Sequence, residues 1–184
     1  EDPYYTDRVA VFHFGGHANG YQLLLETRDG DKAPADAAGF ARFLAVRKGL
    51  QLVFLNACST QRQEEDLLAA GVNVVIGTSQ AIDDAIATDF AAHFYAAIAQ
   101  GLSVDGAYKS ASAAIAFAAS SVATGRDQPR DIGGNPDPRD LDRGSPWVIN
   151  KRPDAKAALE WHLPKEANTP PLAMILSGVI VAVL

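Results

Sequence analysis

The sequence predicts an α/β fold in which a mostly parallel sheet carries helices on both faces. Three short apolar runs, Val9 to Phe14, Leu50 to Leu55 and Val72 to Gly77, have the length and composition of buried strands. Segments with helical spacing of apolar residues alternate with them. Strands that alternate with helices favour parallel pairing, with the helices packed on both faces of the sheet.

The first run is followed by signals for a hairpin. It breaks at Gly15-Gly16, and Asn19-Gly20 is typical of a two-residue hairpin turn. Tyr21 to Glu26 is then the return strand, and Thr27 to Lys32 is expected to be a charged turn. The run from Leu50 is continuous and is expected to be the central strand, ending at Asn56.

Four segments are predicted to be helices: Ala35 to Lys48, Glu64 to Ala70, Asp84 to Gln100, and Ser103 to about Val122. Gly49, Gly71 and Gly101 end the first three, and Ser103 is a candidate cap for the fourth. The third is expected to bury one face on which apolar residues recur every four positions: Ile86, Phe90, Phe94 and Ile98.

The rest of the chain is less regular. Residues 124–146 are rich in Gly, Pro and Asp and are interpreted as a long surface loop. Trp147 to Asn150 is expected to be an edge strand, whereas Ala155 to Leu163 fits a short helix or a strand. Pro171 to Leu184 is nearly all apolar but shorter than the ~20 residues that span a bilayer. It either closes the domain as a buried element, which we favour, or begins a membrane segment.

Composition narrows the classes of function. The 184 residues are most simply one domain, 1–184, and the net charge of −6 argues against direct binding of nucleic acid. A single cysteine cannot form an internal disulfide, and no signal peptide is visible, so a cytoplasmic location without membrane attachment is expected. One cysteine and scattered histidines supply no ligand cluster, so we expect neither a metal nor a cofactor.

Two predicted strands end at reactive side chains, His17 and Cys58. If these strands are parallel neighbours, both groups emerge at the same edge of the sheet, where such folds bind ligands. An imidazole beside a thiol can take its proton and leave the nucleophilic thiolate. The backbone N–H groups of Ala18 and Cys58 are candidates for an oxyanion hole. Ser59 or Thr60 is expected to cap the following helix, which would place Cys58 at a helix amino end and lower the pKa of its thiol.

Each candidate also has a simpler structural interpretation. A lone buried cysteine is usually an inert apolar residue, but the pairing with His17 favours a nucleophile for Cys58. His13 lies within a strand and is expected to be packed. For Asp83 or Asp84 the simpler interpretation is a cap of the following helix, the alternative is a contact with substrate, and one residue can do both. The acidic residues at the start of the second helix are expected to be surface charges that complement the helix dipole: Glu64, Glu65 and Asp66.

Three segments resemble the CHAT domain: HFGGHA, LNACST and VIGTSQAIDDAIATDFAAHFYAAIAQGLSVDGAYKSA. CHAT domains are caspase-like cysteine protease domains of the clan that contains caspases, separase, metacaspases and gingipains. The resemblance covers about Val9 to Ala118. It implies that His17 of the Gly-His dipeptide is the general base and that Cys58 is the nucleophile of an endopeptidase that works through a thioester.

The resemblance also implies substrate contacts. Asp84 occupies a position that is acidic in separase-like relatives, where it faces a basic P1 residue. Asn56 stands two residues before Cys58, where metacaspases specific for basic residues are acidic. Ala18 stands where many members have glycine. The caspase Gln-Ala-Cys signature is absent, so the resemblance does not imply specificity for aspartate.

CHAT domains resemble output modules of larger signalling proteins, joined to sensor, repeat or nucleotide-binding parts and often acting in prokaryotic defence. The resemblance thus implies a protein or peptide substrate and regulatory domains in a longer parent protein, with earlier strands of the sheet outside this chain. The alternative is a catalytically silent caspase-like module that only binds its partners.

Overall fold

The structure is a computed structural model, and it describes residues 9–19, 22–26, 29, 31–57, 60–123 and 145–164. Within these residues the elements, in chain order, are β1 (Val11–Gly15), β2 (Ala18–Asn19), β3 (Gln22–Glu26), β4 (Lys32–Asp36), α1 (Ala37–Ala45), β5 (Leu52–Asn56), α2 (Gln61–Ala70), β6 (Val74–Thr78), α3 (Asp84–Ala99), α4 (Val104–Ala123), β7 (Trp147–Lys151) and α5 (Lys156–Leu159).

The main sheet confirms the predicted α/β architecture. Its described strands lie in the order β1-β5-β6-β7; β1 and β6 flank β5 in parallel, and β7 is antiparallel to β6. Every residue of β5 is buried, as expected of a central strand. Gly15 at the end of β1 lies opposite Asn56 at the end of β5, so the chain leaves both strands at the same edge.

Helices cover both faces of this sheet, as the alternation of elements predicts. On one face Leu52 and Phe54 pack with residues of α3 and α4, among them Phe90 and Phe94. On the other face Val53 and Leu55 pack with α1 and α2. The side chains of β5 therefore alternate between two cores, because successive residues of a strand point to opposite faces.

A second, smaller sheet follows β1. Its strands lie in the order β2-β3-β4, and the antiparallel pairing of β2 with β3 confirms the hairpin. The placement of Asn19 in the turn was wrong, because Asn19 is a strand residue that pairs with Gln22. The strand β4 was not predicted, because its residues Lys32–Asp36, KAPAD, include no β-branched or aromatic side chain. It forms through pairing with β3. The helix predicted from Ala35 begins at Ala37, where the Asp36 carboxylate accepts a hydrogen bond from the Gly39 N–H at 2.7 Å.

The predicted end of the first helix at Gly49 was wrong, because α1 ends at Ala45 and Val46 is its C-cap. The ends of α2 and α3 follow local signals. Gly71, directly after α2, and Gly101, after α3, have φ angles of 110° and 89°, a conformation that glycine adopts without strain. The Ser103 hydroxyl accepts a hydrogen bond from the Gly106 N–H at 3.2 Å, which confirms it as the cap of α4. The segment Ala155 to Leu163, for which the sequence fits either a short helix or a strand, contains the short helix α5.

For one residue of α3, Ile86, the predicted burial on the core face was wrong. Phe90, Phe94 and Ile98 are buried, but Ile86 is 44% exposed and Ala87 is buried in its place. A row of residues four apart drifts by about 40° per step around a helix of 3.6 residues per turn. The first member of the row has therefore rotated away from the core.

Some predictions fall on other parts of the chain. The loop predicted for residues 124–146 lies almost wholly outside the described residues, as does the apolar segment from Pro171, and the single-domain organisation stays a prediction. Among the helices that the structure describes, none combines the length and the apolar character needed to cross a bilayer.

Candidate active site

A cavity of about 260 Å³ opens where β1 and β5 end. It lies at the carboxyl edge of the parallel strands, where open α/β sheets bind their ligands. Its walls come from the ends of both strands and from the first turn of α3 with the residues before it. The lining residues are Gly15, Gly16, His17, Asn56, Ala57, Ile82, Asp84, Ala87 and Thr88.

His17 is an exposed side chain on the wall of this cavity. Its backbone is held by the small sheet, since its carbonyl accepts a hydrogen bond from the Leu24 N–H at 2.9 Å. Gly16 before it has no side chain, and a Cβ there would lie 3.2 Å from the Phe14 ring. The chain can therefore turn tightly from β1 into β2 and present the imidazole at the strand end.

Cys58, the predicted nucleophile, lies outside the described residues together with Ser59. Ala57, directly before it, is buried and lines the cavity. The structure thus brings His17 and the residue next to Cys58 to one cavity. The dyad itself stays a prediction.

The oxyanion hole predicted for the N–H groups of Ala18 and Cys58 also stays a prediction. The N–H of Ala18 is not used in the pairing of β2 with β3. Residues His17 and Leu24 form a hydrogen-bonded pair, so the neighbouring pair, Ala18 with Leu23, is of the non-hydrogen-bonded type. Ala18 is not among the residues that line the cavity.

The alternative between Asp83 and Asp84 is resolved at the start of α3. The Asp83 carboxylate caps the helix by accepting hydrogen bonds from the N–H groups of Ala85 at 2.9 Å and Ile86 at 3.4 Å. Asp84, the first residue of the helix, lines the cavity instead. The side chain predicted to contact substrate is therefore not the one that caps.

Asn56 lines the cavity, but its amide group bonds within the protein. It donates a hydrogen bond to the Ala87 carbonyl at 2.8 Å and accepts one from the Trp147 indole N–H at 3.0 Å. These bonds join the end of β5 to the first turns of α3 and to β7. Sequence reasoning missed the role of Trp147; the available signal was that a buried indole N–H usually finds an acceptor.

His13 is packed in β1, as expected. Its ring stacks on Phe54 with 4.6 Å between centroids, lies 5.4 Å from the Tyr95 ring, and has no hydrogen-bond partner for either nitrogen. Desolvation by burial lowers its pKa to about 4, so the imidazole is neutral at physiological pH.

The interpretation of Glu64 as a surface charge was wrong. Its side chain is only 2% exposed, and its carboxylate accepts hydrogen bonds from the Thr60 hydroxyl at 3.0 Å and the Asn150 amide at 2.7 Å. Burial raises its pKa, while these two hydrogen bonds act in the opposite direction. Of the two candidate caps of α2, Thr60 was wrong, because its side chain makes no cap hydrogen bond, and Ser59 lies outside the described residues.

Three parallel strands covered by helices on both faces, with a cavity at their carboxyl edge, form an α/β architecture consistent with the caspase-like fold. The family model described as the CHAT domain matches residues 5–132, well over half of the chain, and the chain belongs to that family. None of the curated proteins matches the sequence.

Proposed function

We propose that this domain is a cysteine endopeptidase in which Cys58 is the nucleophile and His17 is the general base. One observation carries the proposal: His17 and Ala57, the residue before Cys58, line the same cavity at the carboxyl ends of two adjacent parallel strands. Membership of a protease-related family supports this choice over other reactions of a thiol.

The proposed reaction has two stages. The His17 imidazole takes the thiol proton as the Cys58 sulfur attacks the scissile carbonyl carbon. The backbone N–H groups of Ala18 and Cys58 stabilise the oxyanion, and His17 then gives its proton to the leaving amine. A thioester remains. Water, deprotonated by His17, attacks the thioester carbonyl and releases the acid together with the thiol.

Asp84 gives the proposed specificity. Its carboxylate is exposed on the cavity wall, and the capping of α3 falls on Asp83. A carboxylate in that position favours a peptide with Arg or Lys at P1. Asn56 contributes wall surface beside it. We further propose that the domain is the output module of a larger cytoplasmic signalling or defence protein, regulated by its sensor or repeat domains.

The test of the dyad is covalent labelling with a peptide chloromethyl ketone. Wild-type protein should be labelled at Cys58, His17→Ala should be labelled far more slowly, and His93→Ala, which changes an exposed histidine of α3 outside the cavity, should match the wild type. Equal labelling of all three would overturn the dyad. No labelling in any activated state would favour a silent binding module.

Specificity is tested with fluorogenic peptides that carry Arg, Lys, Asp or Leu at P1. Asp84→Asn should lower kcat/KM for the Arg and Lys peptides at least tenfold. Asp89→Asn, the matched change at an exposed residue of α3 outside the cavity, should leave it unchanged. Turnover of the Asp peptide alone would refute the role of Asp84.

A further inference from the structure

Thr78, the last residue of β6, forms hydrogen bonds to the backbone on both sides of the Cys58-Ser59 pair. Its hydroxyl donates to the carbonyl of Ala57, the residue before the pair. Its N–H donates to the Thr60 hydroxyl oxygen at 2.8 Å, and its carbonyl accepts from the Thr60 N–H at 3.0 Å. Thr60 is the residue after the pair, so one buried threonine joins both flanks of the predicted nucleophile.

Glu64 completes this network from the first turn of α2. The Thr60 hydroxyl donates its only proton to Glu64 Oε1 at 3.0 Å and accepts from the Thr78 N–H. The carboxylate therefore fixes the direction of the Thr60 O–H bond, so that a lone pair of the hydroxyl oxygen faces the Thr78 N–H. Glu64 Oε2 is held in turn by the Asn150 amide on β7 at 2.7 Å.

The neighbouring strand leaves room for this buried carboxylate at Gly77. A Cβ at this glycine would lie 2.6 Å from the Thr60 hydroxyl oxygen and closer still to the Glu64 carboxyl group. A buried carboxylate is an unfavourable choice for stability alone, since an apolar side chain of similar size needs no hydrogen-bond partners. Such departures from good core packing are expected at functional sites.

We propose that Thr60, Thr78 and Glu64 are positioning residues that fix the backbone on both sides of Cys58 for attack on the substrate carbonyl. The proposal rests on the proposed function of Cys58 as the nucleophile. None of the three lines the cavity, so they act on the reaction through the backbone of Ala57 and Thr60. A misplacement of reacting atoms by about 1 Å can lower the rate on the order of a hundredfold.

The first test compares Thr60→Val with Thr60→Ser in the full chain. Valine keeps the shape and removes the hydroxyl, whereas serine keeps the hydroxyl. We expect Thr60→Val to lower kcat by about 10- to 100-fold with KM within twofold of the wild type, because the cavity walls are unchanged. Thr60→Ser should restore kcat to within threefold. Ser112→Ala, which removes a buried hydroxyl of α4 that has no hydrogen-bond partner, is the matched control and should behave as the wild type.

A second variant separates positioning from stability. Glu64→Met removes the acceptor for the Thr60 hydroxyl but also removes a buried carboxylate. We expect kcat to fall about tenfold while the Tm is unchanged or higher. A residue that only supports the fold would lower both together. This variant also decides the question should Thr60→Val fail to fold.

Hydrogen exchange gives a readout that does not depend on catalysis. Peptides that span residues 52–61 should exchange at least tenfold faster in Thr60→Val than in the wild type, with Thr60→Ser and Ser112→Ala unchanged. Unchanged exchange in Thr60→Val and in Glu64→Met would overturn the proposal, as would faster exchange with wild-type kcat. Should the wild type show no labelling that depends on His17, the proposed function fails, and the exchange result alone decides whether these residues hold the backbone of Ala57 and Thr60.

Discussion

Two titratable side chains, His13 and Glu64, are buried on opposite faces of the main sheet, and their surroundings differ. His13 on the α3 and α4 face is packed among aromatic rings and has no hydrogen-bond partner. Glu64 on the α1 and α2 face has two partners, Thr60 and Asn150, and the Thr60 hydroxyl in turn accepts a hydrogen bond from the Thr78 N–H. Burial costs His13 less as a neutral imidazole than it would as a charged one. The hydrogen bonds of Glu64, in contrast, tie α2 to neighbouring parts of the fold.

The largest expected effect is the loss of stability when a charged side chain replaces His13. His13→Asp would bury a carboxylate among Phe54 and Tyr95, and we expect a loss of unfolding free energy on the order of 3–5 kcal/mol. Chemical denaturation in urea measures it. The same substitution at His93, which is exposed on α3, should change stability by less than about 0.5 kcal/mol. Similar losses at both positions would contradict the contrast.

The next effect is the pH dependence that His13 gives to stability. Its pKa falls from 6.5 to about 4 on folding, so the unfolded chain binds the proton more readily than the folded one. This contribution is fully present above pH 6.5 and is lost as pH falls from 6.5 to 4, by about 3 kcal/mol in total.

His13→Phe should remove this slope, keep the stacking on Phe54 and leave the proposed peptidase activity unchanged, because the ring serves packing. The check is a series of urea unfolding curves between pH 4 and pH 8 with a kcat measurement at pH 7. Loss of activity in a stable His13→Phe protein would show that the imidazole takes part in the reaction.

Glu64 is expected to give a smaller slope of the opposite sign. Burial raises its pKa in the folded state, so its contribution is fully present below the unfolded value of 4.5 and is lost as pH rises through the raised value. Glu64→Gln should therefore gain stability relative to the wild type as pH rises above 4.5. Glu65→Gln, the change at the exposed neighbour, is the control. Parallel curves for wild type and Glu64→Gln would contradict the raised pKa.

The smallest effect comes from the outer partner of Glu64. Asn150→Ala removes the amide that donates to Oε2 and should cost about 1 kcal/mol. It should also raise the pKa of Glu64 further, since this hydrogen bond favours the ionised carboxylate. An NMR titration of the Glu64 carboxyl carbon measures the shift. Lys151→Ala, an exposed change on the same strand, should leave that pKa where it is.

Much of the fold was predictable because its signals are local. The apolar runs that contain β5 and β6 have the length and composition of buried strands, and the glycines after α2 and α3 end the helices where the sequence has them. The strand β4 was missed because it depends on pairing with β3 and not on the propensity of its own residues. The burial of Ile86 was predicted wrongly because a row of residues four apart winds slowly around the helix, so that its first member is exposed.

Some residues of the candidate site could also be predicted from the sequence, whereas contacts between distant residues could not. His17 could be placed at the carboxyl edge of the sheet because a parallel strand ends there, whereas Asp84 was assigned through the resemblance to separase-like relatives. Both residues line the same cavity. The burial of Glu64 could not be predicted, since it depends on Gly77 of a neighbouring strand. The bond from Trp147 to Asn56 joins residues 91 positions apart, and no local pattern reports such a contact.

The proposed reaction requires His17 to activate the Cys58 thiol. The most direct test is the rate of alkylation of Cys58 by iodoacetamide between pH 5 and pH 9. At pH 6 we expect the wild-type rate to exceed that of His17→Ala by more than tenfold, with the thiol of the variant titrating near the ordinary cysteine pKa of about 8.5. Coincident pH profiles for the two proteins would contradict the account.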